Sequence, residues 1–121
     1  MPSQPLSDLP ADPNLEAKLR SIAQLLRQAD HLGPEAQKAL AEIVEELGRA
    51  LHSTSVSSDE AKSLADSTAH LVQALHQKEN QGLLVAARDR MKQAITQVEY
   101  QAPFAAQIAG RLLDTLASFG I

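Results

Sequence analysis

A chain of 121 residues with 44% hydrophobic content has the size of one domain and enough apolar surface for one core. Its aromatic content of 2% (Tyr100, Phe104 and Phe119, no Trp) leaves that core to Leu, Ile, Val and Ala, and the absence of Cys excludes disulfides, thiolate metal sites and a cysteine nucleophile. The net charge of −4 divides into 12 acids against 7 bases in residues 1–81 and 3 against 4 in residues 82–121, which argues against nucleic acid, since that ligand requires a positive field.

Residues 1–12 carry three prolines, two serines and two aspartates with isolated leucines, a composition that cannot bury enough surface to offset its ordering entropy. They read as a flexible Pro-rich arm, leaving 13–121 as a single helical-bundle domain. No basic segment followed by an apolar run opens the chain, and no stretch approaches the roughly 18 uncharged apolar residues of a membrane span. The expectation is a soluble, cytoplasmic protein without a membrane span.

Asp12 followed by Pro13 is a helix-start signal, and Leu15, Leu19, Ile22, Leu26 and Ala29 then recur at helical spacing, with Leu25 widening the stripe. His31-Leu32-Gly33-Pro34 ends this helix and begins a second, so short a link that the two should form an antiparallel hairpin. The second helix, Pro34 to His52, buries Ala36, Leu40, Ile43, Leu47 and Ala50, with Val44 and Leu51 beside them. It exposes Glu42, Glu45, Glu46 and Arg49.

This segment recurs 24 residues later as Ser58 to His76, sharing Lys38/Lys62, Leu40/Leu64, Ala41/Ala65, Leu47/Leu71, Ala50/Ala74, Leu51/Leu75 and His52/His76. The shared positions are mainly packing positions, so the repeat speaks for architecture. Ser57-x-x-Glu60 is a capping-box pattern that starts the third helix, whose stripe is Ala61, Leu64, Thr68, Leu71 and Leu75. A fourth helix spans about Leu83 to Tyr100 on Leu84, Ala87, Met91, Ala94 and Val98. Pro103 cannot donate to residue 99, so a break or strong kink falls there. The fifth helix places Phe104, Ile108, Leu112, Leu116 and Phe119 on one side. With no sustained period-2 alternation, the fold class is all-α: a bundle of about five short amphipathic helices in antiparallel hairpins.

Of the four histidines, His31, His52 and His76 fall at helix C-termini, where an imidazolium is favoured by about 0.3–1 kcal/mol. Neither paired Glu-x-x-His nor His-Glu-x-x-His occurs, so no metal signature is present. His70 lies mid-helix with Asp66 one turn earlier, an i, i+4 surface pair without a convergent nucleophile. Arg88, Arg90 and Lys92 point in different directions around the fourth helix and follow no Gly-rich phosphate loop. A solvated face is the first reading of these bases; as the alternative, Arg88, Lys92 and Arg111 could meet the acidic face of the second helix, within one chain or across a dimer.

Between Tyr100 and Gly110 no ionisable group but Tyr100 itself occurs. A terminal helix so thin in charge is either buried or docked on a partner. The residues Val98-Glu99-Tyr100-Gln101-Ala102-Pro103, followed by Leu116-Ala117-Ser118-Phe119-Gly120-Ile121, resemble the tail of a family of short bacterial all-α proteins of unknown function. In that family the last helix has a Glu-x-x-x-Pro start and a Leu-Ala-x-x-Gly-Ile end. Gly82-Leu83-Leu84 to Arg88-Asp89-Arg90 resembles it too, and the similarity covers about the last 40 residues. It implies a small, soluble, helical bacterial protein and brings no catalytic residue.

The functional expectation is a non-enzymatic interaction or self-association module that uses the C-terminal helix through Phe104, Ile108, Leu112, Leu116, Phe119 and Ile121. The alternative is a small-molecule or metal-binding bundle using His70, His76 and nearby acids. No catalytic, cofactor-binding or metal-binding residue is assigned, and the expected partner is a second copy or another protein.

Overall fold

The structure is a computed structural model that describes residues 13–29, 32–52, 58–77 and 81–120. It contains α1 (Pro13–Arg27), α2 (Pro34–His52), α3 (Ser58–His76), α4 (Gln81–Val98) and α5 (Pro103–Ser118), with no strand among the described residues. The all-α bundle is the expected one. The arm at 1–12, the capping residues Asp12 and Ser57, His31 and Ile121 lie outside the described residues.

Three of the five helices begin at a proline, whose fixed φ suits the first turn and whose missing N–H is not needed there. Gly33 takes a φ of +87°, and its carbonyl accepts the first hydrogen bond of α2 from Gln37 N–H at 3.0 Å. That left-handed conformation is open to glycine at no steric cost. Ala29 has already left the helix yet remains buried, because the chain tightens through Ala29 N–H to Leu26 and Leu32 N–H to Ala29 carbonyl bonds.

The bounds of α2 and α3 coincide with the repeated segments. Both members of each matched apolar pair are buried, from Leu40/Leu64 and Ala41/Ala65 to Leu47/Leu71 and Leu51/Leu75. Thr68 stands where α2 has Val44. It is buried without penalty because its hydroxyl donates to Leu64 carbonyl at 2.8 Å.

α4 begins two residues before the expected Leu83 and stops at Val98, two short of Tyr100. Val98 carbonyl accepts from Ala102 N–H at 2.8 Å, and Ala102 then adopts an extended φ of −143°. The residue before proline is excluded from helix by the proline ring, so Pro103 gives a break and not a kink.

The helices close into a ring. α1 packs against α2, α2 against α5, α5 against α4, α4 against α3, and α3 returns to α1. Two antiparallel hairpins, α1–α2 and α3–α4, are thus joined on one side by α1 on α3 and on the other by α5. The core inside is aliphatic, with Leu19, Leu26, Leu40, Leu47, Leu64 and Met91 completely enclosed. Leu25, expected to widen the α1 stripe, is 41% exposed, since it lies one step around the helix from Leu26 and away from both neighbours.

Gly48 sets the spacing of the first hairpin. A Cβ there would meet Leu19 Cβ at 3.3 Å and Glu16 Cα at 3.7 Å, so α1 and α2 approach nearly backbone to backbone. Gly110 in α5 has nothing within 4 Å of a Cβ. The two glycines therefore predict opposite outcomes. Gly110→Ala should stabilise by about 0.5–1 kcal/mol through helix propensity alone. Gly48→Leu should cost about 2 kcal/mol or more by forcing the hairpin apart. Chemical denaturation of the two variants against the parent checks both signs.

Candidate functional site

α5 divides its apolar residues between two uses. Ile108, Leu112 and Leu116 are 1%, 2% and 0% exposed, enclosed within the bundle where α5 meets α2 and α4. They hold the fold together and are not open to a partner. Phe104 and Phe119, expected in the same stripe, are 59% and 41% exposed. They stand at the second position of the helix and one residue past its end, where the chain is leaving the bundle and the core no longer covers a side chain.

The α4–α5 corner carries the most exposed aromatic residue. Tyr100 is 97% exposed, and at the same corner Glu99, Pro103, Ala106 and Gln107 line a shallow, open depression. All three aromatic residues of the chain therefore lie outside a core built without them.

The three described histidines do not assemble. His52 lies at the end of α2 with Nδ1 3.9 Å from Glu16 Oε1. His76, at the end of α3, donates from Nδ1 to Val72 carbonyl at 3.0 Å, and His70 donates from Nδ1 to Asp66 carbonyl at 2.8 Å. A carbonyl can only accept, so these bonds set the Nδ1–H tautomer and leave Nε2 as the outward nitrogen. The expected partner of His70, the Asp66 carboxylate, pairs with Lys18 of α1 instead. Among the described residues no three His, Asp or Glu side chains come together as a metal site. The metal version of the alternative thus has no ligand set around His70 and His76.

His70 instead lines a groove of about 170 Å³ between α3 and α4. Its polar lining is His70, Gln73, Gln77 and Arg90, and its apolar lining is Ala74, Ala86, Ala87 and Leu83. The residues of α3 fall at i, i+3, i+4 and i+7 from His70, and those of α4 repeat the same spacing from Leu83. That shared period was the available signal, hidden because it describes a second face of two helices already assigned by their core faces.

The acidic face of α2 is met from within the chain. Arg27 of α1 forms a bidentate pair with Glu45 at 2.9 and 3.1 Å, and Arg111 of α5 reaches Glu46 at 2.9 Å. Of the three bases expected to meet this face, Arg111 does so. The Arg27 hydrogen bonds hold the Glu45 carboxyl below the usual carboxylate range, and the same bonds raise Arg27. Because both side chains are partly solvated, the pair contributes under about 1 kcal/mol.

A carboxyl depressed in the folded state stabilises at pH above its unfolded value and loses that contribution as pH falls through the folded one. Glu45→Gln should therefore lower stability by up to about 1 kcal/mol at neutral pH, with the deficit shrinking at acid pH as the Glu45 carboxyl protonates. Thermal unfolding of parent and variant at neutral and acid pH measures this difference.

No helix among the described residues is long and apolar enough to cross a membrane. No curated protein and no solved structure matches the chain. The model of one protein family, a domain of unknown function (DUF4404), matches residues 37–121. The match reaches well beyond the 40 or so residues of the C-terminal resemblance and takes in α3, α4, α5 and all but the start of α2. α1, which packs on both α2 and α3, lies outside it. With most of its length covered, the chain belongs to the DUF4404 family.

Proposed function

We propose that the protein is a non-enzymatic helical module that pairs with a second copy of itself through the α4–α5 corner. The observation that carries this reading is the exposure of Tyr100 and Phe104 at the α4–α5 corner, where their sequence neighbours Glu99 and Pro103 line a shallow depression with Ala106 and Gln107. Leaving a large apolar side chain in water forgoes about 1.5–3 kcal/mol relative to burying it. Aromatic residues are also enriched at the centres of protein interfaces.

Charge favours a second copy over other occupants. Each chain carries a net charge of −4, so two copies repel except where charge is absent. The corner is such a place, because from Tyr100 to Gly110 Tyr100 is the one ionisable residue. A strongly charged partner would call for an oppositely charged rim, and the hollow has Glu99 alone. A two-fold pairing also needs a patch that holds both a projection and a recess, and this corner has both. The expected self-association site therefore moves from the buried stripe of α5 to the beginning of that helix.

Stable interfaces cover about a tenth of a small protein's surface, roughly 600–1,000 Å² per partner, and a corner of this kind lies at the lower end. The predicted complex is a dimer with a dissociation constant in the micromolar range. Sedimentation velocity from about 5 to 500 µM should show a monomer–dimer equilibrium. Tyr100→Ser with Phe104→Ser should weaken it at least tenfold while leaving helicity and melting temperature unchanged. Leu25→Ser, at an exposed apolar site on α1, should have no effect. A strict monomer through that range, or a dimer indifferent to the double substitution, contradicts the reading.

A further inference from the structure

We infer that the groove between α3 and α4 is a binding site for a small organic monocarboxylate with a short apolar tail, Arg90 meeting the carboxylate and the alanines meeting the tail. This site is separate from the α4–α5 corner, and the inference does not depend on pairing there.

The register of the hairpin brings His70 and Arg90 together. Thr68 Oγ1 lies 3.6 Å from Met91 Sδ, which fixes where α3 and α4 are level. Two residues onward along antiparallel α3 and one residue back along α4, His70 and Arg90 come opposite each other. Both line the same cavity. Arg90 brings a guanidinium whose fork matches a carboxylate. His70 is oriented by its Nδ1–H bond to Asp66 carbonyl, which turns Nε2 away from its own helix.

Among the described residues no carboxylate lines the groove, and the nearest acid on α3, Asp66, is engaged by Lys18. An anion therefore meets favourable charge at Arg90, whereas a metal cation meets no carboxylate among the described lining residues. Gln73 and Gln77 add amide donors and acceptors on the α3 side.

Size and polarity limit the ligand further. The remaining lining is Ala74, Ala86, Ala87 and Leu83, which offers methyl groups and no polar side-chain atom. The space of about 170 Å³ equals about five or six molecules of liquid water, which suits roughly six to nine heavy atoms. The space the groove offers therefore matches a headgroup of two oxygens on a tail of a few carbons. At ordinary ligand efficiencies a molecule of this size binds with a dissociation constant of about 1–10 mM.

The test uses the whole chain and amide chemical shifts. Hexanoate is titrated against the 15N-labelled protein, with hexanamide as the neutral isostere and inorganic phosphate as the anion without a tail. Saturable shifts confined to residues 70–77 and 83–90, at least fivefold weaker for both controls, are expected. Arg90→Gln should weaken hexanoate at least fivefold by removing the charge, and Ala86→Leu should do so by filling the groove. Both positions are exposed, so folding should be unaffected, which the melting temperature verifies.

Shifts that do not saturate, or that fall outside the two segments, overturn the proposal. So does hexanamide or phosphate binding as tightly as hexanoate, since one shows that charge is not read and the other that the tail is not. Indifference to both substitutions overturns it as well.

Discussion

The apolar stripe of α5 is the contact on which the rest of the molecule depends. Ile108, Leu112 and Leu116 stand between two hairpins, α1–α2 and α3–α4, whose other principal junction is α1 on α3. Complete burial of three such side chains is worth about 5–9 kcal/mol as an upper bound, which is comparable with the whole stability of a small domain. α5 packs more extensively on α2, distant in sequence, than on α4, which precedes it. The last helix therefore makes the fold one cooperative unit instead of two hairpins in sequence.

An aliphatic core imposes its own geometry. With no aromatic ring inside, helices must approach closely, and Gly48 beside Leu19 and Glu16 is where this approach is tightest. The position matched to Gly48 in the repeat is Val72, which is also buried, so the two repeated helices share a stripe without sharing a neighbour. α2 faces α1 and α5, whereas α3 faces α4 and α1. Similar sequence thus supports two different sets of contacts, because only the periodic apolar positions are held in common.

Helix positions were legible because each boundary has a local cause: Gly33 and Pro34, the polar break before Ser58, and Pro103. The stripes of α2 and α3 were legible because a 3.6-residue period states which face is covered. What covers that face is a nonlocal fact, and the ring order with α5 against α2 has no local sequence signal. The same limit applies to the sites. Spacing placed Phe104 and Phe119 on one side with Ile108, Leu112 and Leu116, but helix ends run out of neighbours, so these two are exposed while the other three are buried. His70 was visible as a lone histidine, while its opposition to Arg90 depended on the register of two helices. Asp66 lay at the right spacing for His70 and was engaged by a third helix.

The two surfaces that remain, an aromatic corner and a small groove with cationic lining, lie on the α3–α5 portion and within the residues that match the DUF4404 family. α1 lies outside the matched residues and contributes Leu15, Leu19, Ile22 and Leu26 to the core. The central claim, that α5 unites both hairpins, is tested most directly by native-state hydrogen exchange under low denaturant, where each amide reports the free energy of the opening that exposes it. The slowest amides of α2, α4 and α5 should share one opening free energy equal to that of global unfolding. Exchange of α5 through a separate opening several kcal/mol lower, with α1–α4 still protected, would contradict the account.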